Sequence, residues 1–573
     1  MPGLAARGRL HRRRRPAPAR HPHPGHRPQG GSSMKPHRTP VLIVGGGLTG
    51  LSAAVFLAHH GVRATLVERH PDTSTHPKAR AINPRTMELY RAVGMEERVR
   101  AGRSPITGNT DLVHVESLAG KERVRMPHAS PEDIGRISPT QWTLIDQNQL
   151  EPILRERAVE AGADVRFSTR VDAIRENGTG VLVDTTDLST GAAGRIHADY
   201  VIAADGSRSP LREMLGIGAH GRGTLTDLVS FFFEADLTEA LRGRRIIAAY
   251  VNNPEVRGTI IPIDNDRRWV INVSFFPEQG QRAEDFTEER CTALVRAAVG
   301  VPDLPLKIES VDMPAWDISA RVADTLATRR VFVAGDAAHV MPPTGAFGAS
   351  TGIQDAYNLA WKLALVLSGT AGPGLLESYD AERRPVAEET VRQAMLRFAV
   401  REGRQYQEVA AELVDETTMT FGYCYRSGAF AAEDGAPDTV LEDPEHPGAR
   451  PGARAPHVRL DGPEGPVSLI DLYGDGFTLL VDEEAGPWTG AVEREAARLG
   501  AGLKVVRIGR GTRLWDQDGS FRRRYGLLAG GAVLVRPDGF VGWRTTAGHG
   551  GSLDRSATAA LRRILDRETL DRE

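Results

Sequence analysis

Cysteine is nearly missing. Cys291 and Cys424 are the only two in 573 residues. That is too few for a disulfide framework or a Cys-based zinc site, although one disulfide between them stays open. Such usage suits a reducing cytoplasm, where the chain is expected to work. Long apolar runs are missing too. No stretch of 18 apolar residues occurs, which excludes a membrane-spanning helix. No second His or Cys stands at ligand spacing from His339, so no metal is expected and His339 reads as a hydrogen-bonded structural residue. Internal repeats are absent.

What remains is the composition of a soluble globular chain, 40% apolar and 25% charged. Its length calls for two or three domains. The net charge of −2 hides an asymmetry: residues 1–34 hold eight arginines, four histidines, six prolines and no acid. Basic arms can bind nucleic acid, but the rest of the chain is acidic, which argues against a nucleic-acid enzyme. The arm cannot pack a core, lacks the apolar stretch of an export signal, and ends at Met34 just before a strand pattern. Residues 1–37 therefore read as a disordered basic tail, an extension from an early start codon.

The first chemistry-bearing motif follows directly. Val41–Val44 is a short apolar run, and Gly45-x-Gly47-x-x-Gly50 opens a helical pattern through Leu51, Ala54, Val55 and Ala58. Gly61 ends that helix, and residues 64–68 read as the next strand, closing on Glu68. In a βαβ unit of this kind the first Gly makes the tight turn. The second lets the backbone approach a pyrophosphate, and the third lets helix and strand pack closely. The helix N-terminus offers N–H groups and a positive dipole end to phosphate. Glu68 stands where a carboxylate accepts ribose hydroxyls and repels a 2′-phosphate, which suits FAD or NAD. Arg69 either stacks on the adenine or remains a solvated charge.

A second half of the site lies some 285 residues on. A strand at Val331–Ala334 runs into Gly335-Asp336-Ala337-Ala338-His339, then Pro342-Pro343 and Gly345-Ala346-Phe347-Gly348-Ala349-Ser350. A strand ending in Gly-Asp can hold a carboxylate over a ribityl hydroxyl. A glycine-rich turn opening the next helix can aim N–H groups at the electron-rich edge of a reduced flavin. Paired with the first fingerprint, it points to a flavin dinucleotide.

Elsewhere the pattern is coarser. Helices are read at 84–100 and 147–161, strands near 163–168, 171–175 and 180–186, and another at 200–203. Residues 228–276 alternate as an antiparallel sheet. A long helix covers 351–367, and 427–466 is a Pro- and Gly-rich linker. Strands near 467–470, 477–481, 503–508 and 531–535, with helices at 488–499 and 554–567, form a final α/β unit.

At these residues the chain resembles the class A flavoprotein aromatic hydroxylases, single-component monooxygenases similar to para-hydroxybenzoate and phenol hydroxylases. The resemblance spans residues 38–573. It rests on Gly45–Gly50, on Ala204-Asp205-Gly206-Ser207-Arg208-Ser209, on Gly335 through Ser350, and on the stretch Gly352 to Lys362 after them. It implies an α/β fold: a Rossmann-like FAD-binding domain (38–220 and 305–400) with an inserted antiparallel-sheet substrate domain (221–304). A helix and linker (401–460) and a thioredoxin-like C-terminal domain (461–573) follow. That last unit has no cysteine, so it cannot run dithiol chemistry, and packing or oligomerisation is its default role.

Carried over position by position, the resemblance places Leu48 and Thr49 at the pyrophosphate and Glu68 at the adenosine ribose. It puts Arg80 near the cofactor, Gln149 on the flavin, and the backbone of Val171 at the adenine. Asp205 and Gly206 serve both FAD and NAD(P)H. Asp336 binds the ribityl chain, and Gly348, Ala349 and Ser350 line the ring. Ser350 departs from the Asn of many members, which alters the flavin's surroundings only if a side-chain contact matters.

The chemistry implied is reduction of FAD by NAD(P)H, addition of O2 to give a flavin C4a-hydroperoxide, and hydroxylation of a phenolic ring. The combination also looks like the hydroxylases that tailor aromatic polyketides. A Baeyer–Villiger oxygenation on the same fold, or a non-catalytic FAD-binding scaffold, are the alternatives. The tryptophan signature of flavin halogenases is absent. Partners would be the aromatic substrate, O2 and NAD(P)H, with no nucleic acid and no membrane, and a homodimer is left open. No general base is identified. Tyr250, Trp269 and Asn272 stand on candidate pocket strands, and Pro342 and Pro343 on a turn that could face the substrate.

Overall fold

The structure is a computed structural model, and it describes residues 37–127, 134–310, 315–402, 405–433, 439–546 and 553–568. The basic tail lies outside the described residues, except for His37.

The apolar run at Val41–Val44 is buried on both faces, as a central parallel strand requires. Strand His37–Val44 lies between Ala64–Val67 and Ala193–Ala203, parallel to both. Val331–Val333 adds in parallel beyond Ala193–Ala203, and Asp164–Arg166 beyond Ala64–Val67. The strand at 200–203 starts earlier than its apolar residues suggest. Its first half pairs antiparallel with Val181–Asp187, which pairs in turn with Thr169–Glu176. Helices Leu48–His59 and Phe347–Leu367 pack on this sheet and on each other. The helix read at 84–100 is two, Pro84–Ala92 and Glu96–Ala101. Gly94 between them takes φ +70°, which ends the first.

A second, nine-stranded sheet stands across from the first. It is wider than residues 221–304. Ala219–Glu234, Ile246–Asn252, Arg257–Pro262 and Arg268–Phe275 are joined by Asp111–Val115 and Glu122–Pro127 on one side. Lys307–Ser310, Trp316–Ala323 and His339–Val340 join them on the other. It is also not wholly antiparallel, because Asp111–Val115 joins Ile246–Asn252 in parallel. One face is apolar: Val229, Phe231, Phe233, Trp269, Ile271 and Val273 pack on helix Glu288–Val299 through Cys291 and Val295. Cys291 is buried in that core and Cys424 lies far from it in sequence. Both are free, so the disulfide left open by the sequence does not form.

The last unit is a four-stranded sheet in the order Leu503–Ile508, Phe477–Asp482, Ala532–Val535, Val541–Thr545. The first pair is parallel and the others antiparallel, with helices Thr489–Leu499 and Leu553–Ile564 packed on it. This is a thioredoxin-like arrangement. It packs on the chain's own helix Phe347–Leu367, where Trp361 meets Phe477 edge-on. Below them, Glu382 accepts from Lys362, Asn358 and Arg536, all fully or almost fully buried. A buried cluster of this kind is costly to break, because one unpaired member costs about 3–5 kcal/mol. Among the described residues no helix is long and apolar enough to cross a membrane.

Candidate functional site

Three turns meet at the carboxyl ends of three neighbouring parallel strands. Val44 is level with Ala203, and Ala203 with Val333. Hence Gly45, Asp205 and Gly335 emerge side by side, the edge at which open α/β sheets bind ligands. Backbone bonds lock the spacing: Ala204 N–H donates to Val44 O, and Ala334 N–H to Ala203 O.

The glycines divide the labour the fingerprint assigns them. Gly45 sits at φ +116°, and a Cβ there would strike the carbonyl of Ala204; one at Gly50 would strike the carbonyl of Gly45. At Gly47 the surroundings are open, with nothing nearer than Glu151 Oε1 at 3.7 Å. Gly47 thus borders the space a pyrophosphate would fill, so these residues fit a dinucleotide. Helix Leu48–His59 has no side-chain cap, and neither has Phe347–Leu367, whose N-cap Ala346 is left-handed at φ +53°. Helices Pro84–Ala92 and Glu288–Val299 carry Asn83 and Thr287 as caps instead. The two uncapped helices open on the cleft with free N–H groups.

Two side chains do not do what the family positions imply. Leu48 is buried in the core, and Thr49 is wedged against Gly335 and Gly352. Only their backbone N–H groups can serve a phosphate. Ser350 likewise turns inward, its Oγ accepting from Asn83 N–H at 3.2 Å, so its replacement of Asn changes nothing through a side chain aimed at the ring.

Glu68 folds against the glycine turn, accepting from Gly46 N–H at 2.6 Å and from His70 N–H at 2.8 Å. Arg69 is exposed. Thr169 N–H donates to Glu68 O, which brings the strand bearing Val171 to the same end. Asp205 accepts from Ser209 Oγ and Leu211 N–H, and burial pushes its carboxyl up. Gly206 takes φ +88°. Asp336 opens into the cleft while protein surrounds it. That enclosure raises its pKa against the pull of His339 and Lys78.

The Gly335–Asp336 turn is held from beneath. Asp355 accepts from Gly335 N–H at 3.0 Å, from His339 Nε2 at 2.7 Å and from Arg383 Nε at 2.7 Å. Burial opposes its charge, yet Arg383 and His339 hold its pKa below the usual carboxylate value. Asp355 lies in the stretch Gly352 to Lys362, where the sequence assigns it no role, and Arg383 lies on helix Ser378–Arg401, which carries no local motif.

Facing this edge is the other face of the nine-stranded sheet. Arg80 spans the gap, paired twice with Asp146 and donating to Pro262 O. Gln149 Oε1 accepts from Asp146 N–H, so Arg80, Asp146 and Gln149 form one group. His76 packs against Phe232 with ring centres 5.5 Å apart and planes tilted by 49°. Burial lowers its pKa to about 4, with Lys78 and Arg80 adding to the effect. Tyr250 lies beneath Arg401, whose guanidinium is 4.4 Å from the ring centre and donates to Thr259 Oγ1 at 2.8 Å. Asn272 accepts from Ser230 Oγ.

Trp269 is not with them. It is buried on the opposite face, its indole donating to Ala235 O at 3.0 Å, and is core rather than pocket. Pro342 is buried and Pro343 exposed on the turn before Phe347. Arg401, Thr259 and Ser230 were missed, because nothing local in sequence marks them.

Two family models match: an FAD binding domain over residues 38–394 and an aromatic-ring hydroxylase C-terminal region over 448–568. The chain is 40% identical to aklavinone 12-hydroxylase of Streptomyces purpurascens, covering 93% of this chain and 100% of that one. It is 39% identical to tetracenomycin A2 monooxygenase-dioxygenase of Streptomyces glaucescens, covering 93% and 97%. Among solved structures it matches aklavinone-11 hydroxylase in complex with FAD and aklavinone. The TM-score is 0.85 at 38% identity, over 93% of this chain and all of that one.

Proposed function

This chain belongs to the FAD-binding aromatic-ring hydroxylases, and on that premise we propose that it hydroxylates a phenolic, polyketide-derived ring at the expense of NAD(P)H and O2. It is an FAD-dependent monooxygenase acting on an aromatic substrate. The observation that carries the finer reading is the meeting of the Gly45, Asp205 and Gly335 turns opposite the polar face that holds Tyr250, Asn272 and Arg401.

Bound FAD supplies the hydride acceptor and the centre at which oxygen is activated. The chain supplies position and charge. Gly47 and the N–H groups of Leu48 and Thr49 receive the pyrophosphate. Glu68, with the Val171 strand beside it, takes the adenosine end, and Asp336 the ribityl chain. The N–H groups of Gly348 and Ala349 would face the ring, where backbone donors favour negative charge. Arg80, Asp146 and Gln149 close the seam between the two sheets. Arg401 places a fixed cation over Tyr250 on the substrate side. A cation there favours the phenolate of a substrate, and a phenolate is richer in electron density at its ortho and para carbons. The sheet also keeps water from the reacting face.

The test is anaerobic mixing of the FAD-loaded protein with NADH or NADPH, with and without polyphenolic rings. Flavin bleaching stimulated by the ring, followed under labelled O2 by one labelled oxygen in the product, is the expected outcome. Bound FAD that neither nucleotide reduces, whatever ring is offered, would overturn the reading.

A further inference from the structure

The cleft-side face of the nine-stranded sheet carries a polar row whose members come from different strands. Ser230 lies opposite Asn272, Asn272 opposite Thr259, and Thr259 opposite Tyr250. Cross-strand partners share a face, so these four side chains cross the sheet together. Ser230 and Thr259 are buried, and Asn272 and Tyr250 are half-buried.

The hydrogen bonds in this row have a direction. Trp316 Nε1 donates to Ser230 Oγ at 2.8 Å, and an indole can only donate. Ser230 therefore accepts there, and its own hydrogen is free for Asn272 Oδ1, 2.6 Å away. That separation is usual for O–H···O and short for N–H···O. The chemistry thus fixes the amide flip, which coordinates alone do not. The Asn272 carbonyl is held by Ser230, and its NH2 points away from Ser230. No hydrogen bond within the described residues takes that NH2. Further along, Thr259 Oγ1 accepts from Arg401. The row therefore offers an amide NH2 and a guanidinium, and no carboxylate stands in it.

A wall of donors selects a ligand with acceptors. We propose that Asn272 determines specificity by donating to a carbonyl oxygen on the substrate's fused ring system, and that Ser230 and Trp316 are positioning residues that lock its amide. The assignment rests on the hydroxylase reading, which puts the substrate on this face. A site built around a fixed donor penalises a ligand lacking the acceptor, because the donor is left unpaired.

The experiment is equilibrium binding to the FAD-loaded protein, read by flavin fluorescence, of 1-hydroxyanthraquinone and of 1-hydroxyanthracene, which lacks the ring carbonyls. The wild-type protein should prefer the quinone by on the order of 10-fold or more. In Asn272→Leu and in the isosteric Asn272→Asp that preference should fall to about one or below. Ser230→Ala should lose part of it and Ser230→Thr regain it, with FAD content and melting temperature unchanged. A merely structural role for Ser230 would weaken both ligands equally. The assignment is overturned if the wild type shows no preference, or if Asn272→Asp keeps the wild-type ratio. Turnover is scored separately. Loss of the preference in the variants with no hydroxylation by any form sinks the hydroxylase reading and leaves only the Asn272 contact to the ligand carbonyl. Hydroxylation with an unmoved ratio does the reverse.

Discussion

The two surfaces that enclose the cleft are built on opposite rules. The cofactor edge is made of backbone: glycines where a Cβ would collide, helix ends without side-chain caps, and three turns spaced by parallel-strand register. The facing sheet is made of side chains on an ordinary backbone, chosen strand by strand and aligned by register alone. An edge of the first kind tolerates almost no substitution, because the backbone itself makes the contacts to the ligand. A wall of the second kind can be rewritten residue by residue without refolding, which is where a family that varies its substrates would vary.

The largest effects should come from breaking the edge, and they should separate fold from ligand. Gly50→Ala drives a methyl into the Gly45 carbonyl, so soluble protein and FAD content should both collapse. The Cβ of Gly47→Val meets nothing nearer than Glu151 Oε1, at 3.7 Å. It should keep the melting temperature of FAD-free protein and lose FAD affinity by roughly 100-fold or more, since the new side chain fills the ligand's place. A fluorescence titration with FAD beside a thermal melt reads both. A Gly47→Val protein that binds FAD normally would contradict the placement of the pyrophosphate.

The next contrast lies within the sheet. Trp269→Ala empties the apolar face and should cost about 3–5 kcal/mol in urea unfolding. Tyr250→Phe removes one hydroxyl from the cleft face and should cost under about 1 kcal/mol. On activity the order should reverse. Tyr250→Phe should lower kcat/KM by about 10- to 100-fold with FAD fully bound, whereas Trp269→Phe should leave it near the parent value. Equal activity losses in both would mean that the two faces are not functionally distinct.

The same contrast explains what could be read in the sequence. Gly45, Gly47, Gly50 and the Gly335–Asp336 turn stand out because backbone demands act on neighbouring residues, and neighbours in sequence form a motif. Asp205 depends on family pattern, since an isolated Asp-Gly is common. The wall gave no such signal. Strand 268–275 carries Trp269, Val270, Ile271, Val273 and Phe275. Four of these five are odd-numbered and only Val270 is even, so alternation does mark the odd face as the core and sets Trp269 apart from Asn272. Taking Trp269 with Asn272 as a pocket residue overlooked that parity, and the fold has them on opposite sides. Strand Asp111–Val115 was missed because it joins the sheet from over a hundred residues before its partner Ile246–Asn252. Arg401 reaches Thr259 and Tyr250 from the far end of helix Ser378–Arg401, a contact no local window contains.

The smallest predicted effect concerns His76, which belongs to the cofactor side in sequence and touches the sheet through Phe232. Both its ring nitrogens are buried without hydrogen-bond partners, and its pKa falls from 6.5 to about 4. Because the folded-state pKa is depressed, the unfolded chain takes up a proton as pH falls through about 6.5 while the folded protein does not. Stability is therefore unaffected above that pH, drops between about 6.5 and 4, and loses nothing further below. His457, also lowered to about 4 by burial, and His60, lowered to about 3, titrate in an overlapping window, so they share the slope. His76→Phe removes one contribution and keeps the aromatic contact. Its unfolding free energy relative to the parent should improve between pH 7 and pH 4.5 by on the order of 1 kcal/mol, given the ring's partial exposure. Parallel stability curves for the two proteins across that range would show that His76 is solvated. The seam between the cofactor edge and the sheet would then be wetter than the ring contact implies.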